Sequence, residues 1–157
     1  MKNSKGIWKK VFVLTLVGGL AFWLANFAIS RTDIAAEYRD AMSISYFPML
    51  LESLIGGLII GLLVSFLLLR FYNRIPAIDP IQKSVLLSSL VLVIVTVVLG
   101  GPSSFFATNM VIRYFIIGTV FNVIRITTLG IAIGYVCKKR FSESKPTEVA
   151  VNPAGLG

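Results

Sequence analysis

Arg125 stands in the middle of the apolar run "FNVIRITTLG", with Asn122 one turn before it and Arg113 nearer the start of the same run. A guanidinium among leucines and isoleucines needs an answer, because an unpaired arginine at the centre of a hydrocarbon layer costs at least about 2.5–3.5 kcal/mol. One acidic residue falls within an apolar run, Glu52, and it is the expected partner. Together Glu52, Arg125, Asn122 and Arg113 offer electrostatic chemistry in one of two forms. Either a neutralised pair fixes which helices touch, or a polar cavity holds an ion, a proton or a polar solute.

Other chemistry finds few residues to carry it. The chain has no histidine, which excludes His-ligated haem, His-rich metal sites and His-assisted nucleophiles. Its one cysteine, Cys137, excludes an intramolecular dithiol and reads as a small hydrophobe at a helix end rather than an acylation site. Neither a phosphate-binding Walker loop nor a dinucleotide glycine fingerprint occurs. Asp33, Glu37 and Asp40 recur at helical spacing, but beside Arg31 and Arg39 they read as a solvated face rather than a metal site. No metal, cofactor or catalytic residue is expected.

The elements that position these residues follow from composition. The chain has 157 residues, is 56% hydrophobic and only 14% charged, and has a mean hydropathy of +0.85. A water-soluble fold of this length has no interior large enough for that much apolar surface. Four runs, 11–30, 48–69, 80–100 and 111–137, approach or exceed the roughly 20 residues that cross a bilayer. The expected fold is therefore all-α, a membrane bundle of four transmembrane helices occupying 1–140, followed by a disordered tail at 141–157.

Most of the fifteen basic residues lie before the first run, around the connection between the second and third, and after the fourth. The positive-inside rule then places both termini in the cytoplasm. Basic ends beside anionic lipid account for the net charge of +8 without nucleic acid. The N-terminal run is too long for a typical signal-peptide core and is expected to remain as a span. The bilayer is the certain partner on this reading, with a second copy or another membrane protein as candidates.

The first outer loop should form a short amphipathic helix, with Ile34, Tyr38 and Met42 as its apolar stripe and Tyr46 and Phe47 at headgroup depth. Pro48 should open the second span. Asp79, Pro80 and Gln82 have the spacing of a helix start with a capping box, which obliges Lys83 to reach back to the interface. "GGPSSFF" reads as the second outer turn.

Two stripes of small residues allow close helix packing: Ser53, Gly57, Gly61 and Ser65 on the second run, and Gly130 and Gly134 on the fourth. Packing within one chain is preferred over an oligomer interface. If the second and fourth spans adjoin, Glu52 sits roughly 9 Å along the axis from Arg125, within reach of its long side chain. The leading functional expectation is a non-enzymatic accessory subunit or scaffold acting through helix contacts. The alternative is a small oligomeric transporter or channel that uses Glu52 and Arg125. A wet cavity at Arg125 would favour the alternative, and a dry, sealed pair the scaffold.

Overall fold

The computed structural model describes residues 4–104 and 109–142. Among them the chain is all-helical, with no strand. Five α-helices follow one another: α1 (Ser4–Ile29), α2 (Asp33–Ala41), α3 (Tyr46–Arg70), α4 (Pro80–Ser104) and α5 (Asn109–Cys137), the last continued by a π-helical turn at Lys138–Ser142. Three segments are long and apolar enough to cross a membrane: Gly6–Ile29, Tyr46–Arg70 and Ile112–Arg140. Their outward faces carry large aliphatic side chains such as Leu20, Leu24, Ile59, Ile116 and Val120, about half exposed. Such faces are compatible with a membrane location, where hydrocarbon replaces the missing apolar partner.

The tail beyond Ser142 and the aromatic pair Phe105 and Phe106 lie outside the described residues. The third long helix does not stop at Gly100, where the sequence suggests a turn, but continues to Ser104. A glycine ends a helix by adopting a left-handed φ, and no described glycine has a positive φ. At the start of α3 the helix includes Tyr46 and Phe47, ahead of Pro48. Pro48 is tolerated because N–H groups in a first turn have no intrahelical acceptor to lose.

Helix order in space departs from helix order in sequence. α1 packs chiefly on α3 and α5, α4 packs chiefly on α5, and α3 meets α5 only slightly. Leu14 on α1, Val64 and Leu68 on α3, and Leu129 and Ile133 on α5 are fully buried at the centre. Small residues set the approach. A Cβ on Gly61 would lie 3.1 Å from the Thr15 carbonyl oxygen of α1, and one on Gly57 would lie 3.1 Å from the Gly19 carbonyl oxygen. Ser65 is buried on the same stripe, and Ser53 is half-buried with its hydroxyl donating to the Leu50 carbonyl at 2.9 Å. On α5, Gly130 faces Ser88, and a Cβ on Gly134 would sit 2.5 Å from the Ile81 Cα of α4. These contacts are all within the chain.

At the end where α3 meets α4, Lys83 is 8% exposed yet donates to the Tyr72 carbonyl oxygen at 2.7 Å, with its ammonium 4.0 Å from the Tyr72 ring centroid. Asp79 precedes α4 with its carbonyl oxygen accepting from the Lys83 amide at 3.1 Å, and its carboxylate lies 3.2 Å from the Lys138 ammonium. Burial first, then the neighbouring Cys137 and Asp79, raises the pKa of the Tyr72 hydroxyl above its ordinary value.

Candidate functional site

The opposite end of the bundle holds the polar site, and α2 builds its wall. Thr32 caps α2, its hydroxyl accepting from the Ala35 amide at 3.3 Å, which satisfies one of the free N–H groups of the first turn. At the far end Ser43 adopts φ 54°, a left-handed conformation that turns the chain towards α3. Of the expected apolar stripe, Tyr38 turns onto α5 beside the buried Ala35, whereas Ile34 and Met42 are more than half exposed. Tyr38 packs edge-on against Tyr114 and Phe121, with centroids 6.2 and 5.9 Å apart. Gly118 makes room, since a Cβ there would meet the Tyr38 hydroxyl at 3.0 Å. Glu37 fastens the contact: Arg113 Nη2 lies 2.9 Å from its Oε1, and the Tyr114 hydroxyl donates to the same oxygen at 3.4 Å. The Glu37 carboxylate, still exposed, is thus tied to α5. Among the described residues, no group of three or more His, Cys, Asp or Glu side chains is placed to hold a metal ion.

Between α1, α2, the start of α3 and α5 lies a cavity of about 190 Å³. Its polar lining comes from Asn26 and Ser30 of α1 and its C-terminal turn, Tyr38 and Arg39 of α2, and Asn122 and Arg125 of α5. No carboxylate is among the lining residues. Arg125 Nη1 donates to Asn122 Oδ1 at 3.3 Å, while its Nε is buried without a hydrogen-bond partner. Arg39 Nη1 donates to the Ser30 carbonyl oxygen at 3.0 Å, and its guanidinium lies over the Tyr46 ring at 5.3 Å. Asn26 is 1% exposed, and both the nitrogen and the oxygen of its amide lack a partner.

Glu52 does not belong to this site. Its side chain is exposed, and it forms no ion pair with Arg125. The reason is the helix order: α3 packs against α1, and α5 lies on α1's other contact surface, so α3 and α5 barely touch. Gly56, one turn along from Glu52, has nothing within 4 Å of a Cβ, so that side of α3 faces away from the other helices. Arg113, grouped with Glu52 in the sequence, pairs with Glu37 instead.

Asn26, Tyr38 and Arg39 are site residues that a reading centred on charge pairs overlooks. Asn26 carried a usable signal, an amide inside the apolar run "LANFAIS". Arg39 carried none, because its place depends on how α2 folds back. Thr15, Ser65, Ser84 and Ser88 also have buried, unpartnered hydroxyls, but none of them lines the cavity. A second groove, bounded by Trp8, Ile59, Leu62, Leu63 and Phe66, is almost wholly apolar and offers no reactive or charged group. No protein-family model matches the chain, and comparisons with curated proteins and with solved structures return no match.

Proposed function

We propose that the chain is a non-enzymatic multi-pass protein of the cell membrane, with four transmembrane helices, both termini cytoplasmic, and an outward-facing cavity that holds a polar ligand. This places it with small transporters or channels rather than with scaffolds, and moves the working residues from Glu52 to Arg125, Asn122, Asn26 and Arg39. One observation carries the reading: a 190 Å³ cavity reaches Arg125 and is lined by buried polar atoms that no protein group satisfies. A dry contact would leave those atoms at a cost of about 1–3 kcal/mol each, whereas water or ligand removes the penalty. The small-residue stripes at Gly57, Gly61, Gly130 and Gly134, which a scaffold could have offered to a partner, are engaged within the chain. The basic loops and the apolar outer faces support the membrane topology.

Hydration of the site is directly measurable. In protein labelled with isotopic arginine, the Arg125 Nε–H resonance, assigned by its loss in Arg125→Lys, should exchange with water faster than the backbone amides of α5. Protection equal to that of those amides would mean a sealed contact, and the ligand-binding reading would fall.

A further inference from the structure

We infer that the cavity is an anion site that takes a phosphate-type oxyanion attached to a small organic group, a chemistry shared by phospholipid headgroups and free phosphate esters. The inference rests on reading the cavity as a ligand site and assigns the ligand's class. Two guanidinium groups, Arg39 from α2 and Arg125 from α5, enter one cavity whose lining includes no carboxylate. Each is held by a single neutral acceptor, the Ser30 carbonyl for Arg39 and the Asn122 amide oxygen for Arg125, so neither charge is neutralised there. Arg125 Nε faces no protein acceptor at all.

Guanidinium groups arriving from two different helices suit a tetrahedral oxyanion, whose oxygens point in several directions, better than one planar carboxylate. A phosphate ester also brings one or two negative charges to meet two positive ones. Asn26 sharpens the class. Its amide nitrogen and oxygen lack protein partners but are shielded in this conformation. A ligand that opens the wall would therefore meet a group that donates to an oxyanion and accepts from a hydroxyl or ammonium close to the phosphate. Ile29, Ile44 and Met49 line the remaining wall and suit an aliphatic remainder.

Purified full-length protein distinguishes the sources. Calorimetry with glycerol phosphate tests the free ester. Native mass spectrometry from bilayer discs containing phosphatidylglycerol and phosphatidylcholine tests the headgroup. Saturable binding of glycerol phosphate, selective retention of phosphatidylglycerol, or both would support the assignment. Support also requires weakening of at least about tenfold in Arg39→Gln and in Arg125→Gln, the loss expected for a charged hydrogen bond. Should Arg125→Gln fail to fold, Arg125→Lys keeps the charge while removing the fork and should still weaken binding, as should Asn26→Ala. Glutamate binding without phosphate-ester binding overturns the assigned class. Folded variants that bind as well as the wild type, or a wild type that binds no anion, overturn the site. If water still reaches Arg125 in that case, this inference alone fails; a sealed Arg125 removes both it and the ligand-binding reading.

Discussion

Arg125 and Glu52 are the two charges that the sequence pairs, and the bundle keeps them apart. Arg125 turns to Asn122 and to the cavity, and Glu52 is exposed on a helix that hardly meets α5. Replacing both should therefore give no rescue. Thermal denaturation of Glu52→Gln, Arg125→Gln and the double variant should show losses additive within about 0.3–0.5 kcal/mol, as for residues without a shared contact. A double variant clearly more stable than that sum would put the two side chains together. The presence of a half-buried cation in α5 was legible from the sequence, as was a polar neighbour in Asn122 one turn away. Its wider company was not. Asn26 comes from a distant helix and Arg39 from a short one that folds back, and neither placement is encoded in spacing along one segment.

Helices, by contrast, announce themselves. The four long apolar runs become α1, α3, α4 and α5, three of them long and apolar enough among the described residues to cross a membrane, with ends shifted by a few residues at Pro48 and Gly100. Both shifts have the same origin, since proline in a first turn and glycine at negative φ do not break a helix. On α2 the residues that dock on the bundle are Tyr38, one of the apolar stripe, and Ala35, which hydropathy spacing does not single out. The fold selects Ala35 and Tyr38 for shape, placing Tyr38 against Gly118 and the rings of Tyr114 and Phe121. Small-residue spacing marks close contacts but does not say which partner fills them. The glycines make this testable. Gly56→Ala meets nothing within 4 Å and should be neutral or stabilise the helix by up to about 1 kcal/mol. Gly134→Ala places its Cβ 2.5 Å from the Ile81 backbone and should destabilise by about 1–3 kcal/mol. Denaturation midpoints in detergent compare the two directly, and equal effects would contradict the packing of α4 on α5.

On the scale of the whole molecule, the two ends of the bundle differ in kind. One end ties its charges down: Lys83 rests on the Tyr72 carbonyl, and Asp79 pairs with Lys138. The other end keeps Arg39 and Arg125 open to a cavity without a carboxylate. On the proposed topology the first end is cytoplasmic and the cavity faces outside, so a polar ligand would enter from there. The most direct test of this account labels single cysteines in intact cells, in a Cys137→Ser background, with a membrane-impermeant thiol reagent small enough to enter the cavity. Ser30→Cys lines the cavity and should react, whereas Ser4→Cys and Ser144→Cys should be protected until the membrane is permeabilised. Labelling of Ser4→Cys and Ser144→Cys in intact cells, or an unreactive Ser30→Cys in correctly folded protein, would contradict an outward-facing, water-accessible cavity.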